Sequence, residues 1–278
     1  MKQREITLGY LSIADVGPLQ IVEAAAEAGF SSVGIRVCGR RPSDIWQPDV
    51  VGSVEVRRAI KSTLKSTGLR LSNISAFHLY PDISVEQLLP VVEVSAELGA
   101  EYIVACSYHE GDQQAIDFLG RYGEVAADHG LRLALEVVSY SRCSSLSQAE
   151  HIIEQVGSAA LGYLLDILHL TRGGSDLERI ARISSDQICF AQVCDAFAEL
   201  PAHVDAATEA KSMRLYPGDG ALDLEKFMAA IDSAIELEIE VPAQEHRHLP
   251  APERARILHN RMMDFLNRND VAGGELRT

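Results

Sequence analysis

A repeated pattern of an amphipathic helix, a glycine and a short strand-like run constrains the fold of this chain more than any other feature. The glycines are Gly29, Gly68, Gly99 and Gly130, and an apolar, β-rich segment follows each within two or three residues. Glycine at this place is typical of the left-handed residue that ends a helix, and short αβ loops follow such helices. The spacings of 39, 31 and 31 residues predict repeated β/α units.

Eight strand-like segments follow from this pattern, with helical segments between them: 5–10, 32–37, 71–77, 101–106, 132–138, 161–166, 188–194 and 239–245. Ser84 with Gln87 and Ser147 with Glu150 are predicted to open two of the helices as capping boxes. The alternation predicts an α/β protein with a single (β/α)8 TIM barrel over residues 1–270 and a tail at 271–278. A doubly wound open sheet is the alternative, but its glycine-rich phosphate loop is missing after the first segment.

The charge and the cysteines restrict the class of protein. The 25 basic and 40 acidic residues give a formal net charge of −15, which disfavours nucleic acid and anionic membranes as partners. Five cysteines without a CxxC pair, and a start that does not resemble a signal peptide, predict a reduced cytoplasmic protein. The sequence has no GxGxxG or Walker motif, so we expect no nucleotide cofactor.

Oxygen-bearing side chains stand at matching places near the ends of four successive strand-like segments. They are Glu136, Asp166, Gln192 and Glu245. In a parallel barrel all strand carboxyl ends open on one face, so these side chains should converge there. Carboxylate and amide oxygens suit Mn²⁺ or Mg²⁺, and Co²⁺ also fits. The pattern therefore predicts one divalent metal site held by these four residues.

A metal held in this way predicts chemistry next to a carbonyl group. A substrate chelated through adjacent oxygens has a polarised carbonyl and a more acidic α-hydrogen. Glu136 and Glu245 are the candidate catalytic residues for moving that proton. His169, three residues after Asp166, is placed to donate a proton or bind a substrate oxygen.

Substrate binding is expected from basic residues and two long loops. Arg142 and Arg214 could hold a hydroxyl, a carboxylate or a phosphate. His78 lies near a strand end and is expected to line the site. The loops at 38–52, which carries the only tryptophan, and 196–221 are long enough to act as lids or substrate loops.

At these residues the chain resembles the xylose isomerase-like TIM barrels, the superfamily of sugar phosphate isomerases and epimerases and of AP endonuclease family 2. The motifs that carry the resemblance are the glutamate of LALEV, DILH, QVCD, the PGDG loop and QEHR. The resemblance implies a divalent metal on the four ligands above, a small polar keto substrate and possible assembly into a dimer or tetramer. By motif position it also places the family's DxxH histidine at His169 and its arginine before the PGxG loop at Arg214.

Gln192 leaves the outcome of the reaction open. Ketose epimerases and many isomerases of this family carry histidine at that ligand position, whereas glutamine resembles the 3-dehydroshikimate dehydratase branch, as does Arg142. Isomerisation or epimerisation of a polyhydroxylated ketone is therefore the first hypothesis, and dehydration after the same enolisation is the second. A non-catalytic barrel subunit is a third. The nuclease branch is disfavoured by the negative charge and by only nine histidines.

Overall fold

The computed structural model describes residues 4–41, 44 and 48–275, and these residues form a closed barrel of eight parallel strands inside a layer of helices. In chain order the strands are β1 (Ile6–Leu8), β2 (Ser32–Ile35), β3 (Arg70–Leu79), β4 (Tyr102–Ser107), β5 (Arg132–Glu136), β6 (Leu161–Asp166), β7 (Ile188–Val193) and β8 (Leu237–Ile239). Each strand pairs with the next, and β1 pairs with β8 to close the sheet. The predicted (β/α)8 barrel is confirmed.

The helices of the described residues connect successive strands on the outside of the barrel. They are α1 (Pro18–Ala28), α2 (Val54–Thr67), α3 (Val85–Leu98), α4 (Asp112–Asp128), α5 (Leu146–Val156), α6 (Ile167–Arg172), α7 (Ala206–Ser212), α8 (Leu224–Ala230) and α9 (Ala251–Glu275). The four predicted helix-ending glycines all have positive φ, between 72° and 89°. Because α9 continues to Glu275, the domain boundary at 270 stays a prediction, and residues 276–278 lie outside the described part of the chain.

The first turns of two helices test the predicted caps. At α3, the Ser84 backbone N–H donates to Gln87 Oε1 at 2.8 Å, as the capping box predicts. At α5 the predicted cap at Ser147 is wrong, because the helix begins at Leu146 and Ser145 Oγ accepts from the Gln148 N–H. The helix thus begins two residues earlier than predicted, and its first residue, Leu146, is buried in the core.

The eighth strand differs from its predicted bounds of 239–245. In β8, Leu237 pairs with Ile6 and Ile239 pairs with Leu8, and the strand ends there. Pro242 has no N–H to donate to a sheet, which disfavours continuing the strand to Glu245. The residue that leaves the carboxyl end of β8 is therefore Glu240.

Two further expectations concern cysteines and membranes. All five cysteines are buried and free of disulfides, as expected of reduced core residues. Among the described residues, no helix combines the length and the apolar character that crossing a bilayer requires.

Candidate metal centre and active site

A cavity of about 590 Å³ opens at the carboxyl ends of the strands. Glu136 is the last residue of β5, Gln192 lies one residue before the end of β7, and Glu240 follows β8; all three line the cavity. Asp166, the last residue of β6, is fully buried beside them. The barrel geometry thus brings oxygen donors from four successive strands to one end, as parallel strands require.

Three of these side chains are already close enough to share an ion. One potential ligand atom each from Glu136, Asp166 and His169 lie within 4.8 Å of one another. All three residues are buried. The described residues therefore contain a three-residue group that could hold a metal.

Asp166 is fixed on both of its carboxylate oxygens. Oδ1 accepts from the backbone N–H groups of Leu168 and His169, at 2.8 and 3.1 Å, and so caps α6. Oδ2 accepts from Arg214 at 2.7 Å. The same guanidinium lies 3.1 Å from Glu240 Oε2, so Arg214 connects the acids of β6 and β8.

Gln192 is oriented by a network inside the barrel. Its Nε2 donates to Glu238 Oε1 at 2.7 Å, and Asn73 Nδ2 donates to Glu238 Oε2 at 2.5 Å. Ser75 Oγ donates to Asn73 Oδ1 at 3.0 Å, which sets the Asn73 amide. Because the amide nitrogen of Gln192 is held by Glu238, the Gln192 oxygen must point the other way.

That oxygen is the clearest sign of a ligand site. Gln192 Oε1 is buried, and it has no hydrogen-bond partner among the described residues. An unpaired buried polar atom costs about 1–3 kcal/mol and calls for an explanation. A bound cation would satisfy it, so the donor set fits a divalent metal.

The electrostatics of the acids point the same way. Burial, together with Glu240 and Asp166, raises the pKa of Glu136 to about 8. Burial likewise raises the pKa values of Glu240 and Glu238 above the ordinary range. For Asp166, burial opposes ionisation, but Arg214 and His169 together outweigh it and lower the pKa. A dication among these carboxylates would favour their charged forms.

His169 stands beside the acids in a neutral form. Its Nε2 lies 3.9 Å from Glu136 Oε1, and its Nδ1 lies 3.2 Å from Ser139 Oγ. The Tyr140 ring packs edge-on against the imidazole, with ring centroids 5.5 Å apart. Burial lowers the pKa of His169 to about 4, so the imidazole is uncharged at neutral pH.

The predicted substrate-binding residues divide into two groups. His78 and Arg214 line the cavity, and His78 stacks on Tyr108 with ring centroids 5.0 Å apart. Arg142 is exposed and is not among the residues that line the cavity. Cys143, next to it, is buried in the turn after β5, so the arginine side chain is directed to solvent.

Glu245 also lies apart from the cavity. It sits in a short 3₁₀ helix, its side chain is 61% exposed, and its carboxylate is 3.8 Å from His246 Nδ1. The prediction that it ends a strand was wrong, and Glu240 takes the position expected of it. A strict alternation marks the correct register: Glu236, Glu238 and Glu240 flank Leu237 and Ile239.

The second long loop carries cavity residues that the sequence pattern did not identify. α7 lies in the predicted loop 196–221 and brings Lys211 to the cavity. Asp195 holds the PGDG turn by accepting from the N–H groups of Gly218 and Gly220, at 3.0 and 2.9 Å. From the other long loop, Arg40 lines the cavity, whereas Trp46 and its neighbours 42–43, 45 and 47 lie outside the described residues.

Comparison with known proteins gives a consistent fold. A model of the xylose isomerase-like TIM barrel family matches residues 22–261. A crystal structure of the IOLI protein with a bound zinc atom superimposes with a TM-score of 0.81 at 17% identity, covering 95% of this chain and 99% of that one. At that identity the likeness concerns the fold.

Two enzyme names occur among the curated relatives. The 3-dehydroshikimate dehydratase of Pseudomonas putida is 26% identical over 223 residues, which is 76% of this chain and 33% of that protein. The inosose isomerase of Bacillus subtilis is 24% identical over 191 residues, covering 64% of this chain and 67% of the isomerase. The chain thus spans about a third of the length of the dehydratase it matches.

Proposed function

The chain belongs to the xylose isomerase-like TIM barrel family, and we propose that it is a divalent-metal enzyme that removes a proton next to the carbonyl of a polyhydroxylated ketone. The observation that carries the proposal is the unpaired Gln192 oxygen beside the buried acids Glu136, Asp166 and Glu240. The relatives named as dehydratase and isomerase support it, because both names describe reactions of small oxygenated compounds.

Four residues would hold the metal: Glu136, Asp166, Gln192 and Glu240. Their oxygens suit Mn²⁺ or Mg²⁺, with Co²⁺ as a further fit. Bound there, the dication would polarise a substrate carbonyl and stabilise the charge that develops on its oxygen. We assign no ligand role to Glu245, since its side chain is exposed in a separate 3₁₀ helix.

Glu136 and Glu240 are the groups that would move the proton. Cys106 Sγ donates to Glu136 Oε2 at 3.0 Å, which leaves Oε1 as the oxygen that faces His169 and the cavity. In Glu240, Arg214 binds Oε2. Because β5 and β8 stand three strands apart around the barrel, the two carboxylates approach a ligand from different sides. This arrangement allows one to take a proton and the other to return one.

His169 and Arg214 would position the substrate and the acids. The neutral imidazole, held by Ser139, can donate a hydrogen bond to a substrate oxygen through Nε2. Arg214 keeps Asp166 and Glu240 in place and compensates part of their charge. Reprotonation at a carbon of the enol gives isomerisation or epimerisation, the first candidate outcome.

Dehydration is the second candidate outcome. In a lyase the same enolisation is followed by loss of a β-hydroxyl, which leaves as water after protonation. Gln192 favours this outcome, because glutamine at that ligand position resembles the dehydratase branch of the family. The match to 3-dehydroshikimate dehydratase across 76% of this chain supports it as well.

The test is an assay of the Mn²⁺-loaded protein in deuterated water with 3-dehydroshikimate, an inosose and a panel of ketoses. Solvent deuterium in an isomeric product identifies an isomerase or epimerase, and new ultraviolet absorbance from a conjugated product identifies a lyase. Glu136→Gln should lower the rate by at least ~10²-fold, the scale of a lost acid–base group. Metal binding without hydrogen exchange or product on any substrate would contradict the proposal and favour a binding subunit.

A further inference from the structure

The cavity has two ends of opposite charge. Its floor carries the acids described above, with Arg214 as their buried counter-ion. Its rim carries Arg40 and Lys211, and a third cation, Arg36, is half-buried in the cavity wall. The whole chain has a net charge of −15. A group of cations at one opening of such an acidic protein indicates that positive charge is needed there.

Among the described residues, neither Arg40 nor Lys211 forms a close ion pair, and Asp205 acts on Lys211 only at longer range. Across the described residues, no acidic oxygen lies within 4.0 Å of either side chain, although Asp44 also lines the cavity. Asp44 Oδ2 accepts from the Arg41 backbone N–H instead. Lys211 Nζ lies 5.6 Å from the centre of the Tyr140 ring, the same ring that packs against His169.

Arg36 lies in the cavity wall, where neighbouring residues hold its side chain. Its Nε donates to the Ser75 carbonyl at 3.3 Å, and its guanidinium lies 5.0 Å from the centre of the Tyr10 ring. These contacts hold the charge in place at the wall of the cavity. Arg36 therefore contributes a fixed positive field, whereas Arg40 and Lys211 supply longer side chains that can close on a ligand.

The pKa of His78 reflects the electrostatic field of the three cations. His78 lies in β3 and lines the same cavity. Burial, together with the charges of Arg40, Arg36 and Lys211, lowers its pKa to about 4. All three cations therefore act on one point inside the opening, where an anionic group would be stabilised.

We propose that Arg40 and Lys211, with Arg36 behind them, form an anion-binding subsite that takes a carboxylate or phosphate group of the substrate. The inference rests on the proposed function for the other end of the substrate, whose keto and hydroxyl oxygens would face the acidic floor. It restricts the substrate class: an anionic polyhydroxylated ketone fits both ends, whereas a neutral ketose leaves Arg40 and Lys211 without an anionic partner in the cavity.

The test compares anionic ligands with neutral counterparts of the same carbon skeleton. Shikimate and its methyl ester form one pair, and fructose 6-phosphate and fructose form the other. Binding of each to the Mn²⁺-loaded protein is measured by calorimetry, without turnover. We expect the anion of at least one pair to bind ~10-fold more tightly than its neutral partner, the scale of a charge-assisted hydrogen bond. The pair that shows the preference identifies the anion as carboxylate or phosphate.

Variants of the rim locate the preference. Arg40→Gln and Lys211→Gln should each remove most of it, and the double variant should remove all of it. Arg58→Gln on the exposed face of α2 and Lys226→Gln on α8 make the same charge changes away from the cavity, and should keep it. The ligand pairs are compared by equilibrium binding, without turnover. Failure of the ketone assay would therefore contradict the proposed function but would not change the interpretation of the binding preference.

Two results would overturn the subsite. Equal binding of the charged and neutral members of both pairs, or no binding by either anion, would show that the rim does not recognise anions. A preference that survives unchanged in the double variant would place the anion on the metal floor instead.

Discussion

Glu240 and Glu245 are five residues apart in the sequence, but their side chains have different surroundings. Glu240 lines the cavity and touches Arg214, whereas the Glu245 side chain is 61% exposed next to His246. A carboxylate is expensive to bury without a partner, so a buried acid beside other acids indicates a ligand more strongly than an exposed one. At the scale of the residue, burial and neighbours separate two glutamates that sequence alone treats alike.

The pair gives a direct prediction. Glu240→Gln should weaken Mn²⁺ binding and lower turnover by at least ~10²-fold, because it removes a charged ligand and an acid–base group. Glu245→Gln, the matched change five residues away, should leave both within about twofold, as expected of an exposed side chain. Metal content and kcat of the purified variants are the measurements. The reverse ranking would return Glu245 to the site and exclude Glu240.

At the scale of the element, β8 and the residues on either side of it supply glutamates to three layers of the barrel interior. Glu238 in the strand and Glu236 and Glu240 on either side of it alternate with Leu237 and Ile239, each glutamate two residues from the next. Glu236 forms an ion pair with Arg70 near the amino end, and Glu238 holds Gln192 in the middle. A one-residue change of register would turn all three outward, so the bounds of this short strand decide the site.

Glu238 is expected to tune the metal through Gln192. In Glu238→Gln, one acceptor oxygen must serve both the Asn73 and the Gln192 amide nitrogens, so one of the two loses its partner. The Gln192 oxygen is then less firmly oriented toward the metal position, and the Kd for Mn²⁺ should rise ~10-fold or more. Calorimetric titration with Mn²⁺ measures this directly.

The control for that prediction is the residue that immediately precedes the same strand. Glu236→Gln makes the same chemical change one layer lower, beside Arg70, and should leave the Mn²⁺ affinity within about twofold. Unchanged affinity in Glu238→Gln, with the fold intact by circular dichroism, would mean that packing alone orients Gln192.

The whole molecule concentrates its unusual charges at one end of the barrel. Glu136 and Glu240 at the floor have raised pKa values because folding removes them from water, and the neutral His169 beside them has a lowered pKa for the same reason. Stability and metal binding are therefore both linked to pH.

The sign of this dependence can be worked out for the metal-free protein. Folded Glu136 holds its proton up to about pH 8, while unfolded glutamate loses it near ~4.3, so unfolding releases a proton and stability falls as pH rises toward 8. Buried His78 and His169, with pKa values of about 4, act oppositely below pH ~6.5, where stability falls as pH decreases. Between pH ~6.5 and 8 the carboxylates dominate, because unfolded histidine loses most of its protons in the lower part of this range.

We therefore expect the Tm of the metal-free protein to decrease from pH 6.5 to 8, with up to ~2 kcal/mol lost for Glu136. Saturating Mn²⁺ should raise Tm more at pH 8 than at pH 6.5, because binding needs the ionised carboxylates. Glu136→Gln should reduce the slope of the metal-free protein. A metal-free Tm that is level or increases across this range would contradict the assigned protonation of the acids.

The sequence by itself determined the barrel and most of the floor. Glycine-terminated helices alternating with apolar strands leave few other ways to bury the apolar faces, so local patterns were enough for the topology. Glu136, Asp166 and Gln192 could be located because long buried strands mark their own ends. The cap at Ser84 could be found in the same way, from residues within one turn of each other.

Only the tertiary structure decided which acid of the eighth strand enters the cavity and which cations surround its mouth. β8 has three residues, too few for periodicity to fix its ends, and its register is set by pairing with β1 and β7. Arg40 follows β2 and Lys211 lies on α7, 171 positions apart. No local pattern in either segment predicts that the two residues are close. Closure of the barrel brings them together, since the contacts that form the mouth are long-range.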